Sequence, residues 1–549
     1  MKAIGWSALA CASVVLAGCP QNRPAETREA VASKAGTAQI ATSISPSSGA
    51  ISGVTLTLDT RPVSAEISKG DRYAVTLVGT WQNTGSGAVY LQASDSAAKF
   101  VTPAPVLADT VSTYRSRPSP TSMATYRIIL SLPTATAAGL HTGTLSVRAC
   151  ADSLCVQPYA DTTYSIGYTL KVNAFGEWET LQRTSRHDGY VPVRINPRGY
   201  VKAWTYQPPS GYVLSDVVTG SGNVYFSESG TSSVYAKRAT DGVTQWRRVF
   251  TGTYGPRVSP PTVSNGIVYV STTAHTDTWL YALRASDGMQ SYQSQFSTQW
   301  GEILNPTVRN GKAYVNAGYY GGVVYAFNLA GGAALWNASG GTYGKNTPAA
   351  DDDFAYAYNG STLNVFNAAN GSLFTSIGPS PYGIQTDYYG TVMLGSTDHV
   401  MAYNGTSYSA TAQRQLLDYS VAGNTLRWMS IALYSNYPAV ANGVVYATSN
   451  ESDTFDALDE ATGRLLWSWK PPEPSFDFIG NVVVADNVVF VSTNTRLYAI
   501  DLSTHGALWS APTPGTVSIS ADRMLFVSSP ANSYSYPSTP ARITAYRPN

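Results

Sequence analysis

The four cysteines of the chain are the residues whose type and spacing most directly suggest chemistry. Cys150 and Cys155 lie close together in RACADSLCVQ, whereas Cys11 and Cys19 stand near the N-terminus. A C-x4-C pair could bind a metal ion or form a disulfide. A tetrahedral metal site needs four ligands, and neither a second cysteine pair nor a nearby histidine completes the set. In an oxidising compartment such a pair favours a disulfide, and we predict that bond between Cys150 and Cys155.

The remaining reactive residue types show no catalytic spacing. The acidic run Asp351–Asp353 falls where related segments carry a hairpin turn, so we interpret it as a solvated turn rather than a calcium loop. The sequence contains neither a G-x-S-x-G nucleophile motif nor a Walker-type glycine loop. No two histidines have metal-ligand spacing; they are His141, His187, His275, His399 and His505. The sequence therefore predicts no catalytic residue and no metal site.

The first residues have the features of an export signal. Lys2 precedes a mostly apolar stretch, Ile4–Leu16, which is too short to span a bilayer. The stretch ends in LAGC, which resembles the lipobox of bacterial lipoproteins. This resemblance implies cleavage before Cys19 and acylation of Cys19, so residues 1–18 are predicted to be a lipoprotein signal peptide; a plain secretory signal is the alternative. Pro20, rather than an aspartate, follows the cysteine and favours the outer membrane.

Overall composition favours short strands and turns and excludes a nucleic-acid partner. The 35 basic and 34 acidic residues give a net charge of +1, which supplies no basic field for a polyanion. The 47 glycines, 31 prolines and 37 tyrosines suit strands separated by turns better than helices. Residues 19–42 are polar without an apolar period and are predicted to form a flexible tether.

Residues 43–174 are predicted to form a β-sandwich. Alternating strands such as RYAVTLVGTW and TYRIILSL are separated by clusters of Gly, Pro and Ser. The closing part, GLHTGTLSVRACADSLCVQPYADTTYSIGYTLKV, resembles the last strands of bacterial immunoglobulin-like modules of the BACON type. The resemblance implies an immunoglobulin-like module that either binds carbohydrate or serves as a spacer, and both alternatives stay open.

Two short phrases recur through the rest of the chain. One phrase appears as YALRASDGMQSY and ALDEATGRLLWSW, and the other appears as PTVSNGIVYV and PAVANGVVYA. Asn-Gly pairs predict tight hairpin turns, so each repeat reads as four antiparallel strands. Four strands that recur about every 40 residues are typical of β-propeller blades.

Tryptophans recur on the fourth strand of these repeats, where a large ring can fill the space between blades. They are Trp204, Trp246, Trp336, Trp467 and Trp509. The last repeat ends at its third strand, Arg542–Arg547, and an unassigned strand, YVKAWTYQPP, stands before the first repeat. We predict that this early strand completes the last blade. The expected fold is all-β, with the sandwich followed by an eight-bladed propeller that an N-terminal strand closes.

The segment from Trp178 to Pro197 and the repeated YALDxxTGxxLW-like phrase resemble the pyrroloquinoline-quinone-type, or quinoprotein alcohol dehydrogenase-like, propeller repeat family. The resemblance implies a propeller over residues 175–549. The family contains quinone-dependent dehydrogenases as well as non-catalytic members. The enzymes usually hold the quinone (PQQ) under a disulfide of adjacent cysteines and bind calcium, yet no cysteine follows Cys155 here.

These observations support three hypotheses about function. The first, which we predict, is a non-catalytic propeller lipoprotein without a cofactor, anchored in the bacterial envelope and binding an envelope protein or a cell-wall or glycan partner. The second is a periplasmic dehydrogenase that uses PQQ and calcium. The third is a carbohydrate-binding surface lipoprotein. Segments that begin at Asn404 and Glu451 interrupt the repeat, and we interpret them as recognition loops.

Overall fold

The structure is a computed structural model, and the elements that it contains are almost entirely β-strands. It describes residues 51–69, 73–84, 87–108, 124–133, 136–209, 212–252, 255–274, 277–298, 305–317, 322–341, 346–378, 390–404, 413–530 and 540–549. The predicted signal peptide, the tether, Cys19 and His275 lie outside these ranges. The chain divides into two compact units, and the second unit takes over from Asn173 onwards.

Two antiparallel sheets that share one hydrophobic core form the first unit. One sheet has the order β1-β3-β6 and the other β2-β8-β7-β4-β5. The strands are β1 (Val54–Leu56), β2 (Val63–Ser68), β3 (Tyr73–Asn83), β4 (Tyr90–Asp95), β5 (Val106–Leu107), β6 (Ala124–Leu132), β7 (Gly139–Cys150) and β8 (Tyr164–Asn173). Alternate residues of β6 and β8 are buried, because successive side chains of a strand point to opposite faces of the sheet. The immunoglobulin-like identity of this unit stays a prediction.

The second unit opens with two strands that pair with distant partners. They are β9 (Tyr190–Val191) and β10 (Tyr200–Tyr206), and a 3₁₀ turn at Pro197–Gly199 separates them. The pairings that follow fall into successive groups, which we call sheets A to H. A second 3₁₀ turn, Ser229–Thr231, lies within sheet A.

The strands of sheets A to D follow one another in the chain. Sheet A contains β11 (Val218–Gly220), β12 (Asn223–Glu228), β13 (Ser233–Arg238) and β14 (Thr244–Val249). Sheet B contains β15 (Arg257–Val258), β16 (Thr262–Ser264), β17 (Ile267–Ala274), β18 (Asp277–Arg284) and β19 (Gln290–Phe296). Sheet C contains β20 (Thr307–Arg309), β21 (Lys312–Ala317), β22 (Val323–Asn328) and β23 (Ala334–Ser339). After β24 (Asn346–Thr347), sheet D contains β25 (Ala349–Ala350), β26 (Phe354–Tyr358), β27 (Leu363–Asn367) and β28 (Leu373–Ile377).

Sheets E to H continue the pattern, and one long strand serves two of them. After β29 (Gly390–Thr391), sheet E contains β30 (Met393–Leu394), β31 (Val400–Tyr403), β32 (Arg414–Ser420) and the first part of β33 (Thr425–Ala441). Sheet F contains the second part of β33, β34 (Val444–Ser449), β35 (Thr454–Asp459) and β36 (Leu465–Trp469). Sheet G contains β37 (Phe478–Ala485), β38 (Val488–Thr493), β39 (Leu497–Asp501) and β40 (Ala507–Ala511). Sheet H contains β41 (Thr516–Ile519), β42 (Leu525–Ser529) and β43 (Arg542–Pro548).

The turn chemistry that the sequence predicted is present in the hairpins. Asn265 and Gly266 both have positive φ, at 48° and 75°, between β16 and β17. Such a pair suits a tight hairpin because both turn residues need the left-handed region. The acidic run at Asp351 is likewise a turn, in which the Asp351 carboxylate accepts the backbone N–H of Phe354 at 2.8 Å.

Strand β10 joins the two ends of the second unit. It pairs antiparallel with β43, and Trp204 stands opposite Ala545. Sheet H therefore has the order β10-β43-β42-β41, so a strand from the start of the unit completes the sheet at its end. This is the pairing that the sequence predicted from the missing fourth strand.

The two segments interpreted as recognition loops both contain strand among their described residues, so that interpretation was wrong for those parts. Within the segment from Asn404, residues 414–420 form β32 and the following residues enter β33, whereas residues 405–412 lie outside the described ranges. In the segment from Glu451, residues 454–459 form β35. Among the described residues, no helix has the length and apolar character needed to cross a bilayer.

Candidate functional site

The centre of the second unit is occupied by the chain's own backbone. Residues Trp178 to Val193, which we call the axial segment, contact the first strands of successive sheets. Their carbonyl oxygens accept backbone N–H groups at 2.7–2.9 Å. The donor–acceptor pairs are Thr219–Trp178, Val263–Glu179, Ala350–Ser185, Leu394–Arg186, Val440–Asp188 and Val484–Gly189.

The donors belong to sheets A, B, D, E, F and G, so the axial segment is bonded to sheets on all sides of it. Side chains extend the contacts to the other two sheets. The Thr180 hydroxyl donates to the Pro306 carbonyl beside sheet C at 3.3 Å. The Ala521 N–H, just after β41 of sheet H, donates to Glu177, which directly precedes the axial segment, at 2.9 Å. The segment therefore ties the sheets together around a common axis.

His187 is the most enclosed titratable side chain of the axial segment, with 0% of its surface exposed. Its Nδ1 lies 2.9 Å from the Val392 carbonyl oxygen and its Nε2 lies 3.2 Å from the Thr307 hydroxyl. A carbonyl oxygen can only accept, so Nδ1 carries the hydrogen and Nε2 accepts from Thr307. Burial lowers the pKa of His187 to about 4, so the ring is neutral at pH 7. His187 thus acts as a structural link between sheets C and E.

Gln182 and Asn481 form a saturated amide pair in the same region. The Gln182 side-chain NH₂ donates to the Pro438 carbonyl at 2.7 Å and to the Val482 carbonyl at 3.2 Å. Asn481 in turn donates to the Gln182 side-chain oxygen at 2.7 Å. Gln182, Arg183 and His187 all have positive φ, which costs free energy and persists only where surrounding contacts hold it. Such contacts position backbone rather than present reactive groups.

A small cavity remains beside the axial segment. Trp178, Thr180, Asp216, Asn305 and Thr516 are among its lining residues, and its free volume of ≈ 10 Å³ holds about one water molecule. Burial raises the pKa of the Asp216 carboxyl. A pyrroloquinoline quinone has three fused rings and three carboxylates, so it is too large for this cavity. Among the described residues, no three His, Cys, Asp or Glu side chains come together in a way that could hold a metal ion.

The predicted tryptophans lie where adjacent sheets meet. In each of several sheets, the indole N–H on the outer strand donates to a carbonyl of the next sheet. The pairs are Trp204 to Ala239 at 2.7 Å, Trp246 to Ala285 at 2.8 Å and Trp336 to Ala368 at 3.1 Å. Gly371 follows Ala368 with a φ of 74°, and a Cβ there would lie 2.5 Å from the Trp336 ring. The turn glycine therefore makes room for the indole.

The other two predicted tryptophans make aromatic contacts instead. Trp467 stacks on His505 with ring centroids 4.2 Å apart. Trp509 packs near Tyr200 and edge-on against Tyr546. All five tryptophans thus lie at boundaries between sheets.

Trp428, which was not predicted from the sequence, makes the same kind of contact. Its indole N–H donates to the Glu460 carbonyl of sheet F at 2.8 Å. The repeat pattern of a turn glycine followed by a tryptophan is present here with a different spacing, because Trp428 follows Gly423 by five positions rather than four. The backbone contacts of the axial segment were also missed, since carbonyl groups have no signature in a sequence.

In the first unit, Cys150 and Cys155 are placed as a disulfide pair, with their Cα atoms 5.0 Å apart. Asp152 organises the loop between and beyond them, because its carboxylate accepts the backbone N–H groups of Leu154, Val156 and Gln157 at 2.7–3.1 Å. These bonds lower the pKa of Asp152. The disulfide in the native protein stays a prediction.

Comparison with known proteins identifies the repeat region. The protein family described as outer membrane protein assembly factor BamB matches residues 187–403 and 359–524. The dehydrogenase subunit of the quinone alcohol dehydrogenase of Gluconobacter oxydans is 39% identical over 85 residues, and that of Gluconacetobacter polyoxogenes is 38% identical over 85 residues. Each match covers 14% of this chain and 11% of the relative, so the chain aligns with only a small part of these enzymes.

Two solved structures are similar in shape. The quinohemoprotein alcohol dehydrogenase of Comamonas testosteroni has a TM-score of 0.51 at 15% identity, over 67% of this chain and 80% of that one. BamB of Moraxella catarrhalis has a TM-score of 0.46 at 14% identity, over 63% of this chain and 97% of that one. The first likeness supports a propeller-like fold. Since the two family matches together span more than half of the chain, the protein belongs to the outer membrane protein assembly factor BamB family.

Proposed function

We propose that the protein is a non-catalytic scaffold of the bacterial envelope, anchored through lipid on Cys19 at the outer membrane. In this proposal sheets A to H are the eight blades of a closed propeller, and the first unit is an immunoglobulin-like spacer. The ligand is an envelope protein that binds a face of the propeller. Loops on the faces of a rigid ring can vary for recognition without disturbing the core.

The axial segment is the observation that carries this proposal. A quinone cofactor and its calcium ion would need a pocket among polar side chains that are free to bind them. Here the space around the axis is taken by backbone whose carbonyls are bonded to the surrounding sheets. Asn481 donates to the Gln182 side-chain oxygen, the Gln182 NH₂ donates to backbone carbonyls, and His187 is bonded through both ring nitrogens. The described residues therefore support binding on outer surfaces rather than turnover at the axis.

The quinone-dependent dehydrogenase is the second candidate, because one stretch of 85 residues is 39% identical to a subunit of such an enzyme. That stretch covers 11% of the relative, and repeats of this type build the ring itself. A likeness of this extent does not by itself indicate a shared site.

Two experiments together test the proposal. First, the lipidated protein is isolated from detergent-solubilised membranes, and co-purifying proteins are compared with those obtained from a Cys19→Ala form. We expect a stoichiometric protein partner that is retained by the lipidated form. Second, the purified protein is incubated with pyrroloquinoline quinone and calcium and then assayed with alcohols, sugars and a dye as electron acceptor. Stoichiometric quinone binding with substrate-dependent dye reduction would overturn the scaffold in favour of the enzyme.

A further inference from the structure

Sheet E carries a buried carboxylate where the other sheets carry an apolar side chain. On the third strand of most sheets, a small alanine stands opposite the aromatic residue of the outer strand. The pairs are Ala236–Trp246, Ala282–Tyr292, Ala326–Trp336, Ala457–Trp467, Ala499–Trp509 and Ala545–Trp204. The corresponding pair of sheet D is Val365–Thr375. In sheet E the pair is Asp418–Trp428, so the packing of the repeat does not require the acid.

Asp418 has one close ionisable partner and one unsatisfied oxygen. Its side chain is 0% exposed. The Oδ2 atom lies 2.8 Å from Nδ1 of His399 and 3.8 Å from Nε of Arg427. Among the described residues, nothing hydrogen-bonds to its Oδ1 atom. Burial of a carboxylate disfavours its charged form when one of its oxygens has no hydrogen bond.

Further charges surround this pair from both sides of the boundary between sheets E and F. Within sheet E, Arg427 forms an ion pair with Asp398, which also accepts the Ser420 hydroxyl at 2.5 Å. From sheet F, the side chain of Glu460 is turned towards sheet E and accepts the Ser396 N–H at 2.6 Å. Glu460 is 2% exposed and raises the pKa of Asp418. Asp418 thus lies beside His399 and Arg427, Arg427 also pairs with Asp398, and Glu460 adds a further negative charge from sheet F.

The net charge of the cluster depends on whether Asp418 carries a proton. Burial raises the pKa of Asp418 to about 7, although His399 and Arg427 act in the opposite direction. In an unfolded segment the same carboxyl would have a pKa of about 3.9. The closed cluster therefore holds a proton that an opened one releases. The stabilisation is complete below pH ~4 and is lost as the pH rises to ~7.

We propose that Asp418, His399, Arg427, Asp398 and Glu460 form a proton-operated lock between sheets E and F. With its proton, the cluster holds the boundary closed; when the proton leaves, Asp418 and Glu460 repel each other and the boundary opens more readily. The aspartate at the alanine position is what makes this boundary differ from its neighbours. This role is independent of the partner that the protein binds.

Hydrogen exchange of the full chain tests the lock. The exchange rates of backbone amides in β33 and β35 are measured for the wild type and for Asp418→Asn at several pH values from 5 to 8. Dividing the wild-type rate by the Asp418→Asn rate removes the effect of pH on intrinsic exchange. Since opening releases one proton, we expect the ratio to change by up to ~10-fold per pH unit below pH 7 and then to level off. Asp418→Ala restores the residue of the other sheets and should show the same loss of pH dependence.

The matched control is Asp456→Asn, which removes a neighbouring buried carboxylate that accepts the Tyr434 hydroxyl and has no contact with His399. This variant should keep the wild-type slope. If the Asp418 variants do not fold, infrared spectroscopy of the wild type and of His399→Gln tests the lock instead. A protonated carboxylic acid band in the wild type that disappears as the pH rises towards 8, and shifts its midpoint in His399→Gln, supports the lock. Equal slopes for the wild type and Asp418→Asn, or no such band, would overturn it.

Discussion

At the scale of single residues, His187 shows how burial can make stability depend on pH. The ring is enclosed, and both nitrogens are bonded within the molecule. Its pKa is lowered to about 4, whereas an unfolded histidine has a pKa of about 6.5. The unfolded chain therefore binds the extra proton between these two values. The stabilisation by His187 is complete above pH ~6.5 and is lost as the pH falls to ~4.

We predict that acid destabilises the second unit through His187 by up to ~3 kcal/mol in the free energy of unfolding. Denaturant midpoints at pH 4.5 and 7.5 measure the loss, which should be smaller in His187→Gln. His505→Gln is the control, because the side chain of that histidine is exposed and stacks on Trp467. Identical pH dependence in the wild type and His187→Gln would disprove the assignment. Asp418 is expected to change stability with pH in the opposite direction. Measurements in the Asp418→Asn background remove that contribution.

Trp428 offers a second test at this scale. Trp428→Phe keeps most of the ring volume but leaves the Glu460 carbonyl without the indole donor. We expect a loss of about 1 kcal/mol in the free energy of unfolding, and Trp428→Ala should lose ~3–5 kcal/mol. The same substitutions at Trp336, which bonds to Ala368, provide the matched comparison. No loss in either tryptophan-to-alanine variant would contradict packing between sheets.

The disulfide prediction also belongs to single residues. A bond between Cys150 and Cys155 closes a short loop, so its loss should cost about 2 kcal/mol, mostly through the unfolded state. Cys150→Ser should lower the melting temperature of the first unit and leave that of the second unit in place. Titration of the unreduced native protein should detect no free thiol at either position, and two reactive thiols would refute the bond.

At the scale of elements, β10 is the strand whose removal should affect the whole ring. Deleting Tyr200–Gln207 exposes the edge of β43 and removes Trp204 from its contact with Ala239. We expect a lower melting temperature and loss of hydrogen-exchange protection in β43. Trp204→Ala alone should cost ~3–5 kcal/mol. A deletion variant that melts like the parent protein would show that β10 contributes little to closing the sheet.

Much of the strand pattern could be predicted from the sequence, and the errors have a physical reason. Pairs such as Asn265-Gly266 reveal hairpins because few other residues adopt both turn conformations. Strand β32 was mistaken for part of a loop because Asp418 stands where most other repeats have alanine. The axial segment could be located but not understood, since its contacts are made by backbone carbonyls, which are common to all residues.

At the scale of the whole molecule, membrane attachment is the property most directly open to test. If Cys19 carries lipid, the mature protein begins at that residue and partitions into detergent. Cys19→Ala should remain in its precursor form, with residues 1–18 still attached and no lipid at position 19. Mass spectrometry of the N-terminal peptide measures the modification. An unmodified Cys19 in the mature protein would remove the anchor from the proposed function.

The axial segment also constrains the order in which the protein can fold. A ribosome makes residues 178–193 before any strand of sheets A to H, so six carbonyl acceptors wait for donors that are synthesised later. Strand β10 also waits, because its partner β43 is the last strand that the structure describes. Contacts this distant in sequence slow folding and leave unpaired edges exposed meanwhile. The second unit should therefore gain its native structure only after β43 has been synthesised.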